Sequence, residues 1–168
     1  MIAIAGAIPL RRAPTDVAQL LRLIVDLMAP QAKALDVTLT AAVGEDVQAA
    51  IAIDAQKIAW AVSALVGNAL RYVRHGTARM PGGAITVRAT LDAAAHELVV
   101  EVQDDGRGIP EALVRGLSAG PQSENPYNAL ALTMIRDVVV AHGGRLDIDS
   151  RTDAIGHGTT VRFTLPVA

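Results

Sequence analysis

Residues 98–110, LVVEVQDDGRGIP, carry two adjacent carboxylates and two glycines at the end of an apolar alternating run. In an extended strand, Leu98, Val100, Val102 and Asp104 share one face, and Val99, Glu101, Gln103 and Asp105 share the other. The first set is the apolar one, so Asp104 is expected to point into the core and Asp105 away from it. A carboxylate in apolar surroundings is costly unless hydrogen-bond donors meet it. Two kinds of donor suffice. A backbone N–H or an arginine makes the segment a structural turn, whereas a ligand with an exocyclic amine, such as adenine, makes it a binding site. A charge-assisted bond of that kind contributes roughly 1.5–3 kcal/mol, and it discriminates, because a carbonyl in the amine's place repels the carboxylate. Gly106 and Gly108 let the backbone turn sharply and approach a flat ligand. Spacing alone leaves both readings open.

A second group lies in SALVGNALRYV (63–73). Ile58, Val62, Leu65, Val66, Ala69 and Val73 form an apolar helical stripe, while Ala64, Asn68 and Arg71 share another face with Tyr72 at its edge. Asparagine is a poor interior helix residue and needs a reason to be there. A solvated surface position is one. The other is an amide oxygen turned toward magnesium, a hard cation that often takes only one or two protein ligands beside phosphates and water. Arg71, one turn on, would then neutralise phosphate charge.

Other chemistries find less support. No Ser-His-Asp set or histidine metal cluster can be assembled from the spacing. His96 begins HELVVEVQ, which alternates as a strand. His75 follows a long helix and is expected to meet its end, and His142 and His157 sit in a capping segment and a turn. There are no cysteines, so neither a disulfide framework nor a thiolate zinc site is available. A net charge of −2 gives no basic groove, so no nucleic-acid partner is expected. The N-terminal MIAIAGAIPLRR places its charges after a short apolar run, the wrong order for a signal peptide. No run reaches the roughly 18 apolar residues of a membrane span, so no direct membrane contact is expected within the chain. The expected localisation is cytoplasmic, including the cytoplasmic part of a membrane-anchored sensor.

The elements that position these residues follow from periodicity. Residues 14–35 open with proline and a Thr/Asp cap and then carry Val17, Leu20, Leu21, Ile24, Leu27 and Met28 at helical spacing, with Pro30 as a bend. Residues 37–43 and 49–53 read as strands around a Gly-Glu-Asp turn. Asp54 caps a helix running to Val73. Residues 84–91 and 96–103 read as a hairpin, and a brief helical piece lies around 111–117, followed by a polar loop at 118–127. A helix over 128–142 ends in a glycine cap, before closing strands at 145–150 and 159–165. The core must be built from Ala, Val, Leu and Ile, since the 168 residues hold one Trp, two Tyr and one Phe. Strand pairs with short turns predict a mostly antiparallel sheet covered on one face by helices, an α+β two-layer α/β sandwich.

NALRY (68–72), DDGRGI (104–109), VVVAHGGRLDIDS and GHGTTVRFTLP, in this order, resemble the ATP-binding catalytic domain of bacterial sensor histidine kinases. That group belongs to the superfamily shared with gyrase-type and Hsp90-type ATPases, whose fold is of Bergerat type. The resemblance runs over roughly residues 14–166. It implies one domain over residues 1–168, with 1–13 as an N-terminal extension or linker. It also implies ATP and Mg²⁺ as cofactors, with Asn68 as the metal ligand and Arg71 and Tyr72 near the phosphates and nucleotide. By the same match Asp104 meets the adenine amine, Gly106, Gly108 and Ile109 shape the base pocket, and Thr159 lines it. The second glycine box falls on Ala129-Leu130-Ala131-Leu132, which makes Leu130, Ala131 and Leu132 nucleotide-side residues. The sequence departs from the family where Ala64 replaces a polar residue and where Ala129 and Ala131 stand at glycine positions.

The implied activity is a histidine protein kinase in two-component signalling that positions Mg·ATP for transfer to a histidine. The phosphoacceptor would come from a histidine-bearing dimerisation domain or partner protein, with a response regulator downstream. Two other readings are a non-catalytic docking or regulatory module and an anti-sigma-type serine kinase using the same pocket.

Overall fold

The computed structural model describes residues 8–47, 50–106, 129–151 and 157–167, with the side chains of 129, 130 and 151 outside that description. The elements are β1 (Ala13–Thr15), α1 (Val17–Ala34), β2 (Thr38–Val43), β3 (Ile51–Ile53), α2 (Ala55–Tyr72), β4 (Ala84–Asp92), β5 (Glu97–Asp104), α3 (Ala129–Ala141), β6 (Leu146–Arg151) and β7 (Gly158–Pro166). The expected helical piece at 111–117 and the loop at 118–127 lie outside the described residues.

A five-stranded sheet runs β2-β4-β5-β7-β6, and α1, α2 and α3 pack on one face of it. The inner face is apolar along every central strand. Ile85, Val87 and Ala89 of β4, Leu98, Val100 and Val102 of β5, and Phe163 and Leu165 of β7 are all buried. The helices meet them with Leu21 and Ile24, with Ile58, Val62, Leu65, Val66 and Ala69, and with Ile135 and Val139. The alternation in the sequence is thus the alternation of the sheet, and the expected two-layer architecture is the one observed.

The expected Thr/Asp cap is Asp16, which accepts from the Gln19 amide at 3.0 Å before α1 begins at Val17, while residues 13–15 form a strand. Two expectations need correction. The strand at 49–53 shortens to Ile51–Ile53 and leaves the main sheet, pairing antiparallel with β1 in a separate two-stranded sheet. β2 instead pairs with β4, in parallel, from Thr38↔Ala84 to Val43↔Ala89. A parallel neighbour requires a crossover connection, and α2 lies within it. Leu27, counted with the apolar face of α1, is 68% exposed, because the helix turns Val17, Ala18, Leu21, Ile24 and Val25 to the core instead.

Candidate functional site

Asp104 is the last residue of β5 and continues the buried row of Leu98, Val100 and Val102 with only 8% of its surface exposed. Ile85 of β4 flanks it on one side and Thr159 of β7 on the other. The backbone N–H of Gly106 donates to its Oδ1 at 2.8 Å, and a backbone bond from Thr159 also meets it. Burial pushes the carboxyl up to about 6 from its ordinary 3.8. The neighbouring Asp105 adds to that rise and the two backbone donors oppose it. Among the described residues no ion pair involves Asp104. Among the described residues the buried acid is therefore held by backbone donors, and no arginine neutralises it.

Asp105 points outward and has a different task. Its Oδ1 accepts from the Ala84 amide at 2.9 Å and secures the entry to β4. The adjacent carboxylates are thus divided by the strand's alternation into one inside and one outside.

Helix α2 crosses above the end of β5. A Cβ on Gly106 would stand 2.7 Å from the Tyr72 carbonyl oxygen and 2.9 Å from Asp104 Oδ1. Only glycine allows the end of the helix and the turn to come this close. The crevice beneath α2 is lined by Leu65, Asn68, Ala69 and Tyr72, by Val102 and Asp104, by Thr159 and Val161, and by Leu132 from α3.

The fold therefore brings Asn68, Tyr72, Asp104, Leu132 and Thr159 around one crevice. Arg71 and Gly106 line an adjoining cavity of about 860 Å³ with Arg74, His75 and His157, and Tyr72 borders both. Ala131 is half-buried on α3 and is not among the described lining residues of either. Leu130 lies in the first turn of α3. Gly108 and Ile109 lie outside the described residues.

Leu65 and Val102 were legible only as core residues and Val161 only as part of the closing strand 159–165, yet they form the apolar walls. Ser150 had no signal of its own. Its Oγ lies 2.8 Å from Thr159 Oγ1, a contact set by the pairing of β6 with β7. His157, read as a turn residue, donates from Nδ1 to the Gly106 carbonyl.

Among the described residues no group of three or more His, Cys, Asp or Glu could hold a metal ion. Asn68 lines the crevice, and its amide carries a single oxygen. A hard cation held there must take its other oxygens from phosphates and water. The donor set fits a cation that arrives with a nucleotide.

The model of the histidine kinase-, DNA gyrase B-, and HSP90-like ATPase family matches residues 53–168, which include every candidate residue above. The chain belongs to that family. The adaptive-response sensory kinase SasA of Synechococcus sp. (strain JA-3-3Ab) is 27% identical over 169 residues, covering 97% of this chain and 42% of the relative. The sensor protein GacS of Pseudomonas syringae pv. syringae is 29% identical over 174 residues, covering 98% and 18%. The chain thus spans less than half the length of these curated relatives. Full-length ShkA, solved in complex with AMPPNP, shares the fold with a TM-score of 0.79 at 23% identity, over 96% of this chain and 32% of that one. The nucleotide-free catalytic domain of histidine kinase ThkA gives 0.76 at 18%, over 94% and 97%. The family and fold implied by NALRY and DDGRGI are those found. No described helix of this ATPase-family domain is long and apolar enough to cross a membrane.

Proposed function

We propose that this ATPase-family domain, one domain over residues 1–168, binds Mg·ATP in the crevice under α2 and presents it for transfer to a histidine on another domain or protein. One observation carries this reading. Asp104 ends the buried row of β5 facing Asn68, Tyr72, Leu132 and Thr159, held by backbone donors alone among the described residues. Adenine offers an amine at its N6 edge, where guanine offers a carbonyl, so an inward carboxylate selects the former.

When bound, Mg·ATP supplies the γ-phosphoryl group. The chain's own residues perform positioning and charge neutralisation, which is most of what phosphoryl transfer asks of a protein. Asp104 orients the base, Leu65, Val102 and Val161 exclude water beneath it, and Asn68 offers its amide oxygen to the cation. Arg71 places positive charge beside the crevice. Gly108, Ile109, Leu130 and Ala131 complete the nucleotide side by their match to the family boxes.

The acceptor histidine must come from elsewhere. His142 is buried, His75 donates to the Leu70 carbonyl, His96 occupies the β4–β5 turn with φ 54°, and His157 meets Gly106. None stands on an exposed helix. ThkA has been solved in complex with the response regulator TrrA at a TM-score of 0.71 to this chain, which supports a response regulator as a downstream partner here.

Calorimetric titration of ADP with magnesium tests the assignment. The wild-type chain is expected to bind, and Asp104→Asn to abolish binding. Unchanged affinity in the variant would remove the adenine role.

The helical course of Ala129 and Ala131, where family glycines stand, favours a second reading, a docking module with little nucleotide affinity. Thermal stability separates the two. Nucleotide at 100 times its dissociation constant adds about 2.7 kcal/mol, and no shift at millimolar Mg·ATP would favour the docking module.

A further inference from the structure

The residues that follow β5 meet the start of β7 and the residue just before it. Gly158 lies against the β5 terminus so closely that a Cβ there would stand 2.4 Å from the Asp104 carbonyl oxygen. Immediately before it, His157 donates from Nδ1 to the carbonyl of Gly106, 51 residues away in sequence. The other side of the same glycine is also occupied, since the Gly106 N–H donates to Asp104 Oδ1 at 2.8 Å. A carbonyl only accepts, so the His157 proton at this contact sits on Nδ1.

Glycine is the least restrained residue, and its peptide planes rotate unless something fixes them. The N–H of Gly106 orients the buried carboxylate, and the carbonyl of Gly106 is what His157 grips. The two groups lie in successive peptide planes joined at the Gly106 Cα, so a grip on the carbonyl narrows the φ and ψ range through which the N–H is aimed at the Asp104 carboxylate. The side chain of Asp105, between Asp104 and Gly106, does not supply this restraint, because it is engaged with Ala84 at the start of β4.

We propose that His157 is a positioning residue for nucleotide recognition, holding the Gly106 carbonyl, restricting that glycine's dihedrals and thereby pre-orienting Asp104 toward the base amine. This rests on the adenine assignment of Asp104. Its contribution is pre-organisation, so its loss weakens binding without removing any contact to the ligand. It also lowers discrimination between adenine and guanine, because a carboxylate free to rotate can turn away from the guanine carbonyl.

The test uses the 168-residue chain with ADP and GDP as probes, each with magnesium. His157→Asn keeps an N–H donor near the position of Nδ1, whereas His157→Leu has nearly the same shape and no donor. The expected result is an ADP dissociation constant about tenfold higher in the leucine variant and close to wild type in the asparagine variant, with the GDP/ADP ratio reduced only in the former. Melting temperatures without nucleotide report whether the leucine variant is folded, and His157→Ala replaces it if it is not. The proposal is overturned if the donor-free variant binds ADP like wild type, or if the asparagine variant is as weak as the donor-free one. A chain that loses ADP on Asp104→Asn but keeps it without the His157 donor overturns this proposal alone. A wild type that binds no ADP overturns the adenine reading along with it.

Discussion

The backbone N–H of Asp54 donates to Nε2 of His142 at 3.0 Å, joining the start of α2 to the end of α3 across 88 residues of sequence. The other ring nitrogen, Nδ1, donates to the Val138 carbonyl one turn back at 2.8 Å. The imidazole is therefore neutral, with its proton on Nδ1, and is only 2% exposed. A histidine that read as a capping or surface residue is a buried tie between the two helices that flank the crevice.

His142→Ala removes the acceptor of a buried amide and leaves a void. The expected loss is about 2–4 kcal/mol, read as a lower urea midpoint with an unchanged slope. A variant within 0.5 kcal/mol of wild type (roughly the scatter of surface substitutions) would show that the tie carries no weight.

Asp54 serves three donors at once. Its carboxylate accepts from the Arg11 amide at 3.0 Å, the Lys57 amide at 3.2 Å and Lys57 Nζ at 3.0 Å. The Arg11 bond is the largest cause holding its pKa down at about 2, and the Lys57 contacts add to it against the opposing effect of burial. A depressed carboxylate contributes stability above its unfolded value and loses it as pH falls from about 3.8 through about 2. Asp54→Ala is expected to cost about 1–3 kcal/mol at neutral pH by removing both a helix cap and the Arg11 anchor. Acid titration followed by circular dichroism should show the wild-type advantage disappearing across that window.

Asp104 has the opposite sign. Its folded pKa of about 6 lies above the ordinary 3.8, so ionisation opposes folding. The cost is absent below the lower value, grows between the two and is complete above the higher, where it reaches about 3 kcal/mol. Asp104→Asn should therefore melt higher than wild type at pH 7.5, with the difference closing toward pH 4. Equal melting temperatures at pH 7.5 would mean that the carboxylate is not desolvated.

Nucleotide binding should depend on the same proton in the other direction. Only the ionised carboxylate accepts freely from an amine, so ADP affinity is expected to be flat above pH 6 and to fall about tenfold per pH unit below it. Calorimetry between pH 5 and 8 measures this. An affinity independent of pH in that range would place the base elsewhere.

Much of this protein was legible in its sequence because side-chain direction has a local period. Alternation by two placed Asp104 with Leu98, Val100 and Val102 and turned Asp105 outward, and the structure has both. Helical spacing set the buried stripe of α2 and hence the face on which Asn68 lies. The rotation of α1 was less legible. Its sequence permits more than one apolar face, and only the packing of α1 on β2 and α2 decides that Leu27 stays in water.

Tertiary structure decided what local period does not encode, namely the partners. Whether β3 joins β2 or β1, and whether β2 runs parallel to β4, depends on how far-apart edges are covered. The contacts of His142 with Asp54 and His157 with Gly106 arise because the fold brings chain segments together across 88 and 51 residues. A hydrogen bond needs its two atoms within about 3 Å, and nothing in the neighbouring sequence of either residue specifies that meeting. The sequence determined which side chains point inward, and the packing of helices on the sheet determined what they meet there.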